Sequence, residues 1–528
     1  MKRKYISLFL AFIFLAGCCH KNNFSIDNRL ESHNIIWSIR DKPNSLDPGL
    51  CGYMDGTDVI NNTFEGLFRV TQEDKVDYGV VKSYTCTDDK KKYIFIFRDD
   101  VFWSDGKKVM PKDFEFAWKR NLRFNFPCPR KDLFLPLKNA KDITDQIKDV
   151  EDLGVKALSD SVLQVELEYP VNNLFHLFAM TPFMPVRYDV VDDEGHWAKD
   201  SKKAISNGPF YLKSFNDYNL ILSKNLFYHN SEKSNVHNVI VKFIQDSNTS
   251  YIAYVSGNLD IADNLPLNEY KKLNYNKEFL SVPCYGLYFY SFNLQLDFFK
   301  SPKVRQAISK AIDRNLIVEK VRKTNEEPAT GYLPLNFIEE KNLNFSYSFD
   351  FDINKARQLL LEAGFGSNEQ FPTIEIFYNS ESDNKIVAEA VKEMLKNNLD
   401  INVNLVGQEW SIFLNKRRNL SYNGLAKNSY IIEDFNPVTF LSIFLPEKGS
   451  NTGYNNKKYN LLVNSLLVEK SEDIFDDKML GAIKILSQDM PILPLFYYRN
   501  GSLVKPYING YSINYVGYKY LGNVKIKS

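Results

Sequence analysis

The chain has 528 residues, 44% of them hydrophobic and 25% charged, with a formal charge of +1. That length exceeds one hydrophobic core, so two or three lobes are expected. The near-zero charge excludes nucleic acid as the main partner, because no basic excess exists to neutralise phosphates.

The N-terminus carries a strong local signal. Lys2, Arg3 and Lys4 precede the apolar run Tyr5–Ala16, which ends in Leu15-Ala16-Gly17-Cys18. A basic start and an apolar run of roughly a dozen residues read as a secretory signal too short to span a membrane. Small residues just before a cysteine resemble a bacterial lipobox, so residues 1–17 are expected to be cleaved and Cys18 lipidated. Residues 18–32 are polar and read as a tether. The other five cysteines (Cys19, Cys51, Cys86, Cys128 and Cys284) are scattered without a CxxC spacing, against a disulfide framework or a zinc site.

Asn34–Ile39 reads as a short strand running into a loop with Pro43 and Pro48. Asp58–Phe68 has helical spacing. Lys92–Arg98 alternates as a strand, and Asp105-Gly106 marks a hairpin turn, since both residues tolerate positive φ. Pro111 opens a helix at its tolerated first-turn position. Ser161–Glu168, Phe210–Ser214, Asn219–Ser223 and Asn238–Ile244 read as strands. Beyond Pro283 the rhythm becomes α/β: strand Gly286–Asn293, helix Pro302–Val321, and helix Asn354–Ala363 stopped by Gly364. Then Thr373–Tyr378, Asp383–Leu399 and Ile401–Val406 form a strand–helix–strand unit with the usual right-handed crossover. Helices near 456–470 and 474–489 follow, and Leu493–Lys505 reads as a strand or a hairpin.

One stretch concentrates opposite charges. Between Glu409 and Leu441 lie Trp410, the cations Lys416, Arg417, Arg418 and Lys427, and the acids Glu433 and Asp434. Such a connection suits a ligand with a positive end and a negative end, as a peptide has, although charge clusters are commonly plain surface.

Several strings, in order along the chain, resemble one family. They include Ser45-Leu46-Asp47-Pro48, Phe64-Glu65-Gly66-Leu67, Trp103-Ser104-Asp105-Gly106, Ser206-Asn207-Gly208-Pro209-Phe210, Ala311-Ile312-Asp313-Arg314, Gln408-Glu409-Trp410 and Leu503-Val504-Lys505-Pro506. The family is the oligopeptide-binding proteins of bacterial ABC importers, extracellular solute-binding family 5. The resemblance implies an α/β clamshell of two lobes with an extra domain. Lobe I would comprise 33–56, 188–283 and 500–528, the extra domain 57–187, and lobe II 284–499.

It also implies extended peptides held between the lobes by main-chain hydrogen bonds, with roomy, wet side-chain pockets. The ammonium would go to Glu433, counting back from Pro437, or to Asp434, matching an acid before an aromatic. Trp410 matches an aromatic beside a ligand side chain. Arg417, or Arg418 with a one-residue slip, matches a basic pocket residue, and Lys427 stands where the family often has Arg. Lys there offers a point charge rather than a bidentate fork. Arg322 lies in a segment that reaches the carboxylate of some peptides. Phe289 and Tyr498 match pocket aromatics, Asn384 falls where some members have His, and Asn264 is a candidate for the ligand backbone or a plain turn residue.

No cofactor is expected. The chain has no GxxxxGK[ST] loop, so ATP hydrolysis and passage belong to partner permease and ATPase subunits. A monomer is expected, held by its lipid on the periplasmic or extracellular face of the cell envelope. Two alternatives stand: the same fold binding a cell-wall muropeptide or a dipeptide, and a secreted hydrolase. The second has no GxSxG, HExxH or cysteine–histidine signature to carry it.

Overall fold

The computed structural model describes residues 31–528 except 53, 72, 172, 335–348, 367–369, 381–383, 433–435, 447, 449, 467, 468, 470, 471 and 528. Glu433, Asp434, Cys18 and the expected signal segment 1–17 therefore lie outside the described residues.

Two long antiparallel strands, Phe279–Phe292 and Ile492–Val504, organise the molecule. Each belongs to both halves of one mixed sheet, eleven-stranded among the described residues with the short Glu327–Pro328 added beside Ile492–Val504. On one side, Ile492–Val504 pairs with Ile261–Ala262, followed by Asn34–Ile39, Asn238–Phe243, Asn219–Lys224 and Phe210–Phe215. On the other side, Phe279–Phe292 pairs with Gly424–Ile431, followed by Ile374–Asn379 and Val403–Gln408. The register between the two long strands slips between Pro283 and Leu287. Such a bulge bends a strand and increases its twist.

The hydrophobic cores divide at the same place. Leu280 and Val282 pack against one core, built from Ile35, Trp37, Phe64, Trp103, Val239 and Leu521 among others. Tyr285 and Leu287 belong to a second, with Ile308, Ile376, Val391, Leu425 and Phe496. A separate four-stranded sheet, Val81–Cys86, Lys92–Phe97, Val162–Glu166 and Val155–Ser159, is backed by helix Pro111–Leu122.

Most expected elements are present, with three differences. The helix expected over 58–68 spans Met54–Thr63, and Phe68–Val70 is a strand. Asn207 explains the stop: its Oδ1 accepts from Glu65 N at 3.0 Å and its Nδ2 donates to Glu65 O at 2.8 Å, taking both main-chain groups away from helix. Its neighbour Gly208 touches this turn so closely that a Cβ would lie 2.6 Å from the Thr63 carbonyl carbon. The strand expected over 286–293 begins at Phe279, because the bulge carries pairing across Pro283. The helix expected over 302–321 ends at Lys310. Asp313 caps a new turn, its side chain accepting from Leu316 N, and the chain then widens into a π turn over Ile317–Arg322.

Candidate functional site

The face of the second-core sheet that carries Tyr288 gathers most of the candidate side chains. Tyr290 stands opposite Lys427, and Tyr288 stands opposite both Ser429 and Phe496. Side chains alternate along a strand, so Tyr288, Tyr290, Lys427, Ser429, Phe496 and Tyr498 share that face. Tyr288 stacks on Phe496 with centroids 4.6 Å apart, and Tyr498 meets both rings edge-on.

Lys427 lies over this aromatic floor, its Nζ 5.2 Å from the Tyr288 centroid and donating to Ser429 Oγ at 3.2 Å. Arg322, at the end of the π turn, sits 5.0 Å from the Phe496 centroid. It pairs with Glu326 through Nε (2.8 Å) and Nη2 (2.9 Å). Arg417 comes from helix Trp410–Arg418. Its Nη1 donates to the Lys427 carbonyl at 3.1 Å, its guanidinium covers Phe413, and its buried Nε has no partner.

Among the described residues, neither Lys427 nor Arg417 has a carboxylate within 4 Å. Burial, followed by the positive charges of Arg417 and Arg322, pushes the Lys427 ammonium down to about 8. Burial likewise brings Arg417 down to about 10. Two largely desolvated cations without an acid among the described residues are costly unless an anion arrives, and perturbed charge of this kind gathers at functional sites.

Lys427 binds its proton more weakly here than an unfolded lysine of pKa ~10.4. Between about pH 8 and 10 the unfolded chain therefore holds more protons, and ligand-free stability rises with pH across that window. A bound carboxylate favours the protonated lysine, so binding should take up protons and weaken as pH climbs above 8. Calorimetric titrations near that pH, in two buffers of different ionisation heat, should show proton uptake. Identical heats would contradict the arrangement.

The remaining candidates are distributed differently. Asn384 is buried at the start of helix Asn384–Leu399. It accepts from the Tyr288 hydroxyl at 3.1 Å and donates to Asn379 Oδ1 at 3.0 Å, so it braces the floor. Trp410 is 42% exposed and stacks on Phe413, next to Arg417. Arg418 is exposed at the helix end and makes none of these contacts.

Phe289 is displaced from the expected place. It is fully buried on the opposite face of its strand, paired with Asn428 and Pro494, and Tyr288 is the aromatic that meets Lys427. Asn264 lies in the other half of the sheet, where its amide donates to the carbonyls of Ile244 (3.2 Å) and Gln245 (2.8 Å), as a turn asparagine does. Beside it Asp263 accepts from Trp37 Nε1, Ser502 and Tyr511. These residues follow the parallel strands Asn34–Ile39 and Ile261–Ala262 at their carboxyl ends, where ligands of α/β sheets gather. Sequence reading passed over Tyr288, Tyr290, Ser429 and Glu326. Strand alternation and the spacing of Glu326 four residues after Arg322 were the signals for them.

Two cores joined by a pair of crossing strands, with two cations that lack a close acid among the described residues on an aromatic floor, fit a clamshell solute-binding protein. Residues 75–452 match the family described as "Bacterial extracellular solute-binding proteins, family 5 Middle", and the chain belongs to this family. Among curated relatives, the periplasmic murein peptide-binding protein MppA of Escherichia coli is 29% identical over 494 residues, covering 92% of this chain and 91% of its own. The periplasmic oligopeptide-binding protein OppA of Salmonella typhimurium is 30% identical over 494 residues, covering 92% and 90%. Among solved structures, the unliganded open form of the MppA murein tripeptide-binding protein superposes with a TM-score of 0.78 at 28% identity, covering 94% of this chain and 98% of that one. Haemophilus influenzae OppA in complex with RPPGFSPFR gives 0.77 at 27%, covering 94% and 99%. The fold is thus the two-lobed, periplasmic-binding-protein-like α/β architecture.

Proposed function

We propose that this chain captures extended oligopeptides between its two lobes and delivers them to the permease and ATPase subunits of a membrane ABC importer. The observation that carries the reading is the pair of half-buried cations, Lys427 and Arg417, lacking an acid among the described residues above the floor of Tyr288 and Tyr498. Relatives named for murein peptides and oligopeptides support the same class of ligand. Lobe I comprises 33–56, 188–283 and 500–528, the extra domain 57–187 and lobe II 284–499. The bulge after Pro283 is where the lobes flex. A peptide touches both lobes only when they close, so binding shifts the population toward the closed form. Cys18 carries the lipid that keeps the protein at the envelope.

In this reading the ligand's carboxylate lies at Lys427 and Arg417 and its ammonium at Glu433 or Asp434. A muropeptide is the second reading. Lys427 and Arg417, with no close acid among the described residues, stand near a third cation, Arg322, which pairs with Glu326, and such a gathering of cations suits a ligand with more than one carboxylate.

Calorimetric titration with a free oligopeptide and its N-acetylated form tests the proposal. The wild-type chain should bind the free peptide more tightly. If Glu433 is the anchor, Glu433→Gln should cost the free peptide roughly 10-fold or more and the acetylated one little. Equal losses would move the anchor to Asp434, and no binding of either peptide would sink the proposal.

A further inference from the structure

A second pocket lies away from the cation-bearing floor. A cavity of about 200 Å³ opens where the segment 61–71 meets Tyr228 and the C-terminal residues 510–523. Its walls include the rings of Phe64, Phe68, Tyr228, Tyr518 and Tyr520, and two cations, Arg69 and Lys519, also line it. At interior packing density such a space holds roughly ten non-hydrogen atoms. Apolar, aromatic walls with a few converging polar groups are the usual make-up of a small-molecule site.

The polar groups favour an anion. Glu65 is the acid in the lining, and both its oxygens are engaged, Oε1 by the Tyr228 hydroxyl and Oε2 by His229, each at 2.7 Å. Arg69 spends only Nη1, on the hydroxyls of Tyr228 (3.2 Å) and Tyr520 (2.8 Å). Its Nε–Nη2 edge makes no hydrogen bond among the described residues and has only the exposed Asp77 carboxylate at 3.8 Å, so it remains a fork that a planar carboxylate can take up. Two more lining residues, Asn61 and Thr71, each carry a buried polar side-chain atom, Nδ2 and Oγ1, without a partner among the described residues.

We propose that this cavity binds a compact aromatic or planar monocarboxylate, with its carboxylate on Arg69 and its ring among Phe64, Phe68 and Tyr518. The site is independent of the peptide reading, since it shares no residue with the floor around Lys427. Benzoate and its neutral isostere benzamide are the probes, titrated into the full chain by ligand-observed NMR. Benzoate should bind saturably and benzamide at least ~10-fold more weakly. Arg69→Met should weaken benzoate by about 10- to 100-fold, while Lys427→Met should leave it unchanged. Arg69→Lys keeps the charge but removes the fork and should also lose about 10-fold, which decides the matter if Arg69→Met does not fold. No saturable benzoate binding at millimolar concentration, benzamide bound equally well, benzoate binding indifferent to both Arg69 variants, or loss on Lys427→Met would overturn the assignment.

Discussion

Lys427→Met is expected to weaken a peptide with a free α-carboxylate by about 10- to 100-fold, while its C-terminal amide changes little. Methionine keeps an unbranched apolar stem against the Tyr288 ring, so packing is nearly preserved. What disappears is a desolvated charge with no acid beside it among the described residues. Removing such a charge should leave the ligand-free protein as stable as before or more so, because its burial is uncompensated until a ligand arrives. Paired titrations of acid and amide forms, with thermal melts of the free protein, check both halves. Equal losses for acid and amide, or a marked drop in melting temperature, would place Lys427 in the framework instead.

The second large effect concerns the framework itself. Asp47 is fully buried in the Ser45–Pro48 loop and accepts from Arg120 Nη1 (3.1 Å) and Nη2 (2.8 Å), from Trp197 Nε1 (2.9 Å) and from Gly49 N (2.9 Å). Arg120 also donates to the Asp192 carbonyl and lies over the Phe126 ring. The pair joins three segments distant in the chain. Asp47→Ala leaves a guanidinium buried without its main counter-ion and should cost about 3–5 kcal/mol, as breaking one side of a buried pair does. Adding Arg120→Met should recover much of that loss. Urea unfolding measures both, and a single variant within about 1 kcal/mol of wild type would show that water reaches the pair.

Much of the scaffold was legible in the chain because its signals are local. Alternation marked the strand at Lys92–Phe97, Pro111 marked a helix start, and Gly106, at φ +81°, turns the hairpin expected of Asp105-Gly106. Departures came where a distant residue decides. Asn207 lies 142 positions from Glu65 yet ends the helix there, and Asp313 restarts a helix that periodicity alone would have continued.

The candidate site was less legible, for a similar reason. Phe289 and Tyr288 are both buried, so alternation separates the two faces of their strand without saying which one carries the cations. That distinction needs the partner strands, which bring Lys427 beside Tyr288. Asn264 looked equally suited to a ligand or a turn, and its donors go to the turn at 244–245. Arg322 reaches the floor only because the chain widens into a π turn after Leu316, a feature no simple period announces.

The central claim is that a peptide, held by its charged ends and main chain, fills the space between the lobes. Native mass spectrometry of the protein isolated from its own cells tests it most directly. The predicted spectrum shows added masses that fragment into short amide-linked chains with free ends, released by Lys427→Met. Co-purified molecules without amide bonds, or none under conditions that retain peptides on the Haemophilus influenzae relative, would contradict it.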